Sequence, residues 1–432
     1  MRASMLVGAF AALVASPASA AVPAAAGGAA AAVDAPLRAL IDDGTGKPDA
    51  LVGLQVALVR EGRVVAELAY GRRYVHPSDR AQDLPLTTDS LIRVASMSKP
   101  VTAIAILQRV ERGRLDLDAD VSRDLGFRLR NPRFPDAPIT LRQLLSHRSS
   151  IVDADGYYMP LGEPLAAFFR PGARYADGAH FSAHAPGTRF EYSNLGSGVL
   201  ATVLERATRE RFDRLVAARV LAPAGVEGSF DVAGLSPEQS ERLAVTYRRG
   251  AEEAAEWDPT GPWLPQNDDR RGGRLVATSA QAGIARYRPG TNGTLFSPQG
   301  GLRTSAGQYA KLMLCLLRDA CARGPLLAPA TRALMLAPAW QHRAGSVDDT
   351  TGGQYRAWGL GLQLFPETGE VGHLAEAYGL FGGALFAPDG ATGVVYLATG
   401  SAMPLAANKG KRSAFYAWEE TIQEWARATP TP

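Results

Sequence analysis

The sequence predicts an α/β (α+β) fold, with an antiparallel sheet flanked by helices and a mostly helical lobe inserted into it. Two β-hairpin patterns lie near opposite ends of the 432-residue chain, at 51–71 and 382–400. Between them, roughly over 115–285, helical patterns are joined by long loops rich in glycine, proline and aspartate. Hairpins from both chain ends can share one sheet, which leaves the middle to form a second lobe. The cleft between the two lobes is the natural place for a site.

The start of the chain has the pattern of a secretion signal at residues 1–20. A short positive start precedes an apolar stretch too short to span a bilayer, and Ala-Ser-Ala at 18–20 fits a cleavage site. Cleavage would leave Ala21 first, followed by an alanine- and glycine-rich stretch, 21–36, that is predicted to be a disordered linker. The folded domain is expected over 37–428. These features predict a periplasmic or secreted protein.

The two hairpins and the last helix are predicted from local signals. The first hairpin has alternating apolar residues around a turn at Glu61-Gly62, and the last has a Pro-Asp-Gly turn at 388–390. A closing helix then follows the second hairpin. Its aromatic and aliphatic stripe comprises Phe415, Trp418, Ile422 and Trp425.

Charge and cysteine content narrow the choice of partners and compartment. The chain has 46 Lys and Arg against 43 Asp and Glu, a balance that argues against a nucleic-acid or anionic-membrane partner. No run after the leader is apolar for long enough to span a membrane. Cys315 and Cys321 stand at the end of a helical pattern, where they can form a disulfide suited to an exported protein or remain two buried thiols.

Ser96 and Lys99 form a Ser-x-x-Lys pattern at the start of a helix-patterned run. Residues three apart share one helix face, so the pattern places an amine beside a hydroxyl that needs a base to become a nucleophile. The amine can act as that base only if burial or nearby positive charge makes it neutral. Pro100 fits a helix only near its first turn, so Ser96 lies where the helix dipole favours negative charge. The alternative is that Ser96 caps the helix and Lys99 is solvated.

Tyr192 and Asn194 stand where a loop leads into a predicted helix. A phenol held there can shuttle a proton in the cleft, and the Asn194 amide can contact a substrate carbonyl or the lysine. The alternative is a buried tyrosine and an asparagine helix cap.

A third candidate segment, 372–379, reads as a strand of small residues before the last hairpin. Its backbone can offer an N–H group to an oxyanion, and His373 can bind substrate or carry a proton. The alternative for His373 is a structural hydrogen bond.

Other catalytic patterns are missing from the sequence. It has no Gly-x-Ser-x-Gly nucleophile turn, no phosphate-binding glycine loop and no His-Glu-x-x-His. His180 and His184 have a helical ligand spacing, but glycine and proline surround them, so we expect no metal site. We also expect no organic cofactor.

In this order, the segments resemble the penicillin-recognising serine hydrolases, which include class C β-lactamases, D-alanyl-D-alanine carboxypeptidases, D-aminopeptidases and related esterases. The resemblance covers most of residues 50–425 and implies a β-lactamase/transpeptidase-like fold. The matching segments are LIRVASMSKPVTAIAILQ, ITLRQLLSHRSSI, PGTRFEYSNLGSGVLATVLE, SPQGGLRTSAGQYAKLM, WGLGLQLF and GHLAEAYGLFGGALFAPDG.

The resemblance implies a role for each matching residue. Ser96 would attack a carbonyl carbon, while Lys99 and Tyr192 share the roles of base and acid. Asn194 would position substrate and lysine. The backbone N–H groups of Ser96 and Glu376 would form the oxyanion hole, with His373 lining the site.

Three residues depart from the family pattern. Ser150 replaces the glycine that usually follows His-x-Ser, and His373 stands where the family often has lysine. Ala375 replaces a glycine that lets substrate lie flat against the strand, so its methyl group is expected to narrow the site. Histidine at 373 removes a fixed positive charge, so recognition of a substrate carboxylate is expected to be weaker unless an arginine compensates. This favours a peptidase or esterase over a dedicated β-lactamase.

The implied function is an exported hydrolase that forms an acyl-enzyme on Ser96 and cleaves an amide or ester bond in a small molecule or peptide. The alternative is a ligand-binding or sensor protein of the same shape with little or no turnover, which Ala375 keeps open. No stable membrane insertion is expected, and the sequence leaves the oligomeric state open.

Overall fold

The computed structural model of the chain describes residues 34–431 apart from 45–46, 48–49, 171–177, 251–260, 269–282, 402–408 and 412–415. The predicted signal sequence and most of the predicted linker therefore lie outside the described residues. The linker prediction is wrong at its end, because helix α1 (Ala35–Arg38) begins inside it. Asp34 accepts hydrogen bonds from Arg38 and from Tyr70, which ties this end of the chain to the sheet.

One antiparallel sheet of nine strands runs through the molecule, in the order β3-β2-β1-β13-β12-β11-β10-β9-β8. Two further pairs, β4 with β7 and β5 with β6, stand apart from it. The strands are β1 (Gly53–Arg60), β2 (Arg63–Tyr74), β3 (Leu84–Pro85), β4 (Ile92–Arg93), β5 (Thr246–Arg249), β6 (Trp263–Asn267), β7 (Arg303–Thr304), β8 (Trp340–Gln341), β9 (Ala357–Trp358), β10 (Gln363–Phe365), β11 (Glu370–Ala377), β12 (Leu380–Phe386) and β13 (Gly393–Thr399).

Helices cover both faces of the sheet and account for most of the regular secondary structure in the inserted lobe. After α1 they are α2 (Ser98–Glu111), α3 (Ser122–Leu125), α4 (Leu141–Leu145), α5 (Leu195–Thr208), α6 (Phe212–Val216), α7 (Ala222–Ala224), α8 (Pro237–Glu241), α9 (Ala306–Arg318), α10 (Pro329–Leu336) and α11 (Ala417–Ala428). Within the described residues, no helix is long and apolar enough to cross a membrane.

Both predicted hairpins form, and they meet in the centre of the sheet. β1 pairs with β2 on one side and with β13 on the other, from Gly53 opposite Thr399 to Val59 opposite Gly393. Because β13 carries alternating side chains, Val395 and Leu397 enter the core under α2 and α9, while its other face packs under α11. The prediction of one sheet built from both chain ends is confirmed.

The inserted lobe is mostly helical, with one addition that the sequence patterns did not predict. β5 and β6 form a two-stranded sheet inside the interval 115–285. Two parts of this interval, residues 251–260 and 269–282, lie outside the described part of the chain. Strand β5 begins next to β4, where Ala244 donates its N–H to the Leu91 carbonyl.

The structure joins Cys315 to Cys321 as a disulfide that closes the end of α9. The two Cα atoms are 4.5 Å apart, and Asp319 ends the helix in a left-handed conformation with φ 58°. The sharp turn brings the chain back toward the last turn of the helix, so two cysteines with a sequence separation of 6 can form the bridge.

Candidate active site

Ser96 lies in a 3-10 turn, Ala95–Met97, that leads directly into α2. Ala95 has φ 44°, a left-handed conformation that non-glycine residues rarely adopt and that is common at functional sites. Pro100 occupies the first turn of α2, as predicted, where its missing N–H costs no helical hydrogen bond. The backbone therefore presents Ser96 at a helix start, with its side chain partly exposed.

The Ser96 hydroxyl contacts two further candidate groups at once. Its Oγ lies 3.1 Å from the Nζ of Lys99 and 2.9 Å from the hydroxyl of Tyr192. Lys99 is one helical turn along the chain, whereas Tyr192 arrives from the inserted lobe. The structure thus brings the three predicted catalytic side chains into direct contact across the two lobes.

Lys99 is buried and lies among acceptors rather than anions. Its Nζ donates to the Oδ1 of Asn194 at 2.8 Å and to the carbonyl of Gln299 at 3.2 Å. Burial lowers the pKa of Lys99 to about 7, against the opposing effect of the negative charge of Asp153. A neutral amine has two N–H groups, which match these two acceptors, and its lone pair is then directed at the Ser96 hydroxyl. Lys99 is therefore arranged as a base.

Tyr192 is held as a neutral phenol. Burial raises the pKa of Tyr192 well above its usual value, and no ammonium group offsets this effect, because Lys99 is itself close to neutral. The imidazole of His147 lies 4.5 Å from the Tyr192 ring, and Tyr355 stacks on its other side at 4.9 Å. With these pKa shifts, Lys99 can accept a proton at rest and Tyr192 can donate one.

Asp153 positions the start of α5 and was not singled out from the sequence. Its Oδ1 accepts from the backbone N–H groups of Asn194 and Leu195 at 2.7 and 2.9 Å and from the Ser193 hydroxyl at 3.0 Å. Its Oδ2 accepts from the Asn194 amide at 2.8 Å, which turns the Oδ1 of Asn194 toward Lys99. The carboxylate is thus a helix cap supplied from a distant loop, so no local sequence signal could reveal it.

The Gln299 carbonyl is supplied by the glycine-pair loop SPQGG. Ser297 has φ 48°, and a Cβ on Gly301 would collide with the carbonyl oxygen of Phe296, so the tight turn requires glycine there. Two contacts join this loop to α2: Leu302 donates its N–H to the Ser98 hydroxyl at 3.1 Å, and Thr102 donates to the Pro298 carbonyl at 2.8 Å. The loop therefore holds a backbone oxygen against Lys99.

Strand β11 offers an open edge beside Ser96. β10 pairs with β11 only from Glu370 to Gly372, so the edge from 373 to 377 has no strand partner on that side within the described residues. The Leu374 N–H points to this side, where it meets the side chain of Gln363. Since N–H direction alternates along a strand, the Glu376 N–H points the same way. This geometry suits the predicted oxyanion hole, with the Ser96 N–H as its second donor in the opening turn.

His373 and Ala375 are each only 1% exposed. The His373 ring stands edge-on to Trp358 at 5.2 Å, and burial lowers the pKa of His373 to about 3. Ala375 belongs to the core under α2. The expectation that Ala375 lines an open site is corrected, because its methyl group points into the core. His373 is also buried, but it lies close enough to Lys99 for that charge to lower the pKa of His373 further.

Ser150 shows why the family pattern has a glycine at this position. Its φ is 62°, in the left-handed region that glycine adopts without strain. The hydroxyl of Ser150 accepts a hydrogen bond from the Asn131 amide at 3.2 Å. The substitution thus keeps the glycine conformation.

No group of three metal-ligating side chains occurs in the described part of the chain. His180 packs against Phe168 at 4.9 Å, and the Nε2 of His184 contacts Arg189. The two histidines thus face different partners.

The family model described as Beta-lactamase matches residues 37–417, which is most of the chain. The chain belongs to the beta-lactamase family. Its relatives include esterase EstB of Burkholderia gladioli, 34% identical over 47% of this chain and 52% of the relative. Another is the D-alanyl-D-alanine-carboxypeptidase/endopeptidase AmpH of Escherichia coli K12, 28% identical over 37% and 41% of the two chains. The chain spans about half or less of the curated relatives it matches.

Solved structures show the beta-lactamase fold beyond these segments. The D-amino acid amidase of Ochrobactrum anthropi SV3, complexed with D-phenylalanine, has a TM-score of 0.61 and 20% identity, covering 92% of this chain and all of its own. The octameric penicillin-binding protein homologue of Pyrococcus abyssi has a TM-score of 0.59 and 22% identity, covering 82% and 71% of the two chains. At these identities the match shows a shared fold, which confirms the predicted fold class.

Proposed function

We propose that this beta-lactamase family protein is a serine hydrolase that forms an acyl-enzyme on Ser96. The observation that carries the proposal is the position of the Ser96 Oγ, within hydrogen-bond reach of both Lys99 and Tyr192. A nucleophile in contact with a near-neutral amine and a neutral phenol has the base and the acid that acyl transfer needs.

Acylation follows from these positions. Ser96 transfers its proton to Lys99 as its Oγ bonds to the substrate carbonyl carbon, and the N–H groups of Ser96 and Glu376 stabilise the oxyanion. When the tetrahedral intermediate collapses, Tyr192 donates its proton to the leaving group. The Lys99 ammonium then returns a proton to Tyr192, so the site ends acylated and with its resting protonation.

Deacylation uses the same groups with water as the nucleophile. Lys99 is neutral again and takes the proton of the attacking water, directly or through Tyr192. The proton then passes to the Ser96 Oγ as the acyl group leaves. No step requires a metal ion or an organic cofactor.

The substrate is proposed to be an ester or an amide of a small molecule or peptide. The matched relatives are by name an esterase, a carboxypeptidase/endopeptidase and an amidase, all of which act on acyl bonds. We further propose export to the periplasm or medium, on the signal pattern at 1–20 and the bonded pair Cys315–Cys321. The alternative of a binding protein without turnover rested on Ala375, and the burial of Ala375 removes that support.

Ser96→Ala tests the proposal. Wild-type protein should be labelled covalently on Ser96 by a neutral fluorophosphonate, as seen by intact mass and peptide mapping. The variant should lose labelling and several orders of magnitude of ester hydrolysis, because the attacking group is gone. Ser78→Ala, at an exposed loop position, is the matched control and should behave as wild type. Near-normal turnover by a folded Ser96→Ala variant would refute the mechanism.

A further inference from the structure

Arg93 is a buried cation with no ion-pair partner among the described residues. It lies on β4 and is only 5% exposed, and its Nε has no hydrogen-bond partner. No ion pair joins Arg93 to any other residue of the described chain. Charged side chains are seldom buried without a partner, because the lost hydration is costly. An arginine in this condition points to an anion that binds from outside.

The neighbours of Arg93 are aromatic or already paired. Its guanidinium lies 4.9 Å from the centroid of the Tyr378 ring, and Tyr378 is close enough to Tyr157 to contribute to the raised pKa of Tyr157. The nearby cation Arg303 is neutralised by Asp268 at 2.6 Å, and both are fully buried. Asp268 forms its ion pair with Arg303. Its charge also favours the charged form of Arg93, but no ion pair joins the two.

The group formed by Arg93, Tyr157 and Tyr378 adjoins the reaction centre. Arg93 precedes Ser96 by three residues, so their Cα atoms are at most about 10 Å apart. Tyr378 follows the proposed oxyanion donor Glu376 by two residues. Tyr157 is close enough to Tyr192 to influence its ionisation. The group thus spans the cleft, with Tyr157 from the inserted lobe and Tyr378 from the turn between β11 and β12.

Among the candidate site residues, neither Lys99 nor His373 supplies a permanent positive charge. The pKa of Lys99 is about 7, and that of His373 is about 3. Burial and the charge of Arg303 lower the pKa of Arg93 to about 10, which still leaves it protonated at neutral pH. Arg248 is a second cation in this region, because its charge opposes the raised pKa of Glu376. A substrate anion beside Tyr378 would meet Arg93, whose guanidinium faces that ring.

We propose that Arg93 binds a carboxylate of the substrate close to the scissile bond and so determines substrate specificity. This inference rests on the proposed acyl-transfer function. The ring of Tyr378 covers the guanidinium and is itself 40% exposed, so it can be displaced by a carboxylate. A guanidinium fork suits a planar carboxylate, which can accept two hydrogen bonds from it.

The carboxylate can stand on either side of the scissile bond, and two matched substrate pairs distinguish the cases. For the leaving-group side, benzoylglycyl thioglycolate is compared with its methyl ester. For the acyl side, 4-nitrophenyl hydrogen succinate is compared with 4-nitrophenyl butyrate. We expect wild-type kcat/KM to favour the anionic member of one pair by roughly ten- to a hundredfold, the scale of a charge-assisted hydrogen bond.

Arg93→Gln should bring that ratio close to one, and Arg93→Lys should keep part of it. Labelling of Ser96 by a neutral fluorophosphonate should persist in both variants, since neither removes the nucleophile. Arg63→Gln, at a position in the first hairpin turn whose side chain is 72% exposed, is the charge-matched control and should keep the wild-type ratio.

A measurement on wild-type protein covers the case in which Arg93→Gln fails to fold. Benzoate should protect Ser96 from labelling at concentrations where benzamide does not. Equal rates within both substrate pairs, an unchanged ratio in folded Arg93→Gln, or equal protection by the two ligands would each overturn the role of Arg93. Failure of the proposed function would look different, because wild-type Ser96 would then not be labelled at all.

Discussion

At the scale of single residues, the proposed chemistry depends on the uncharged hydrogen-bond acceptors of Lys99. Its two acceptors are the amide of Asn194 and the carbonyl of Gln299, and neither carries a charge. Ser-x-x-Lys spacing predicted that Lys99 and Ser96 would meet, because three residues span one helical turn. The spacing could not predict the lowered pKa, which depends on burial by segments about 95 and 200 residues away.

The lowered pKa of Lys99 predicts the pH dependence of catalysis. With a neutral ester, kcat/KM should rise as pH passes through about 7 and then level off, because only the neutral amine accepts the Ser96 proton. The folded pKa is below the unfolded value of 10.5, so the unfolded chain binds the extra proton between these limits. The contribution of Lys99 to stability should therefore increase with pH across that range and be lost as pH falls through about 7.

The measurement is a pH-rate profile together with urea unfolding at several pH values. Lys99→Met should lose the activity and also this part of the stability profile, since methionine does not titrate. A rate that is level from pH 5 to 9, with full activity at the acid end, would contradict the assignment of Lys99 as the base.

The neutral phenol of Tyr192 predicts a dependence on the leaving group. Tyr192→Phe should slow hydrolysis of alkyl esters and amides by roughly a hundred- to ten-thousandfold, because their leaving groups need a proton. Esters of 4-nitrophenol should lose much less, since nitrophenolate leaves without one. Paired kcat/KM values for a nitrophenyl and an ethyl ester of one acid test this, with Tyr74→Phe as the control. An equal loss for both esters would mean that Tyr192 does not act as the proton donor.

At the scale of elements, strand β11 contributes its backbone and hides the side chains of His373 and Ala375, whereas Glu376 is exposed. The sequence pattern indicated a strand over 372–379, and the structure has one over Glu370–Ala377 followed by a turn. The expectation that Ala375 faces the site was wrong. Register decides this: Ala375 lies opposite Gly382 in β12 and points into the core under α2. A one-residue shift would have turned Ala375 to the other face.

The burial of Ala375 changes the outcome expected for Ala375→Gly. The ratio of rates on bulky and small substrates should stay as in wild type, because the methyl group presents almost no surface to the cleft. The free energy of unfolding should fall by about 1 kcal/mol, since glycine gains more freedom in the unfolded chain and leaves a small void. Urea unfolding measures the change in stability, and rates on one bulky and one small substrate measure the ratio. A selective gain on bulky substrates would restore the original prediction of a crowded site.

At the scale of the whole molecule, the two chain ends form one scaffold and the middle completes the site. β1 and β13 are neighbours although more than three hundred residues separate them, and α11 covers the face they share. Ser96 stands at the junction of this scaffold with the inserted lobe, which supplies Tyr192 and Asp153. The entropic cost of closing a loop grows only slowly with the length of the loop, so the insertion can be large.

This arrangement predicts that the last helix is essential for stability. Ile422 is fully buried between α11 and the sheet, so Ile422→Ala should lower the free energy of unfolding by about 2–5 kcal/mol. Glu424→Ala, an exposed position on the same helix, should change it by less than about 0.5 kcal/mol. Equal effects of the two changes on urea unfolding would show that α11 does not pack as described.

The sequence by itself determined those features that depend on neighbours along the chain. The two hairpins follow from alternation and turn residues, the closing helix from its apolar stripe, and the contact between Ser96 and Lys99 from helical spacing. Tertiary structure alone decided the rest: the Asp153 cap on α5, the Gln299 carbonyl at Lys99, the unpaired charge of Arg93 and the inward faces of His373 and Ala375. Each of these depends on which segment, distant along the chain, buries a group or offers it a hydrogen-bond partner. A pattern of neighbouring residues does not say which distant segment that will be.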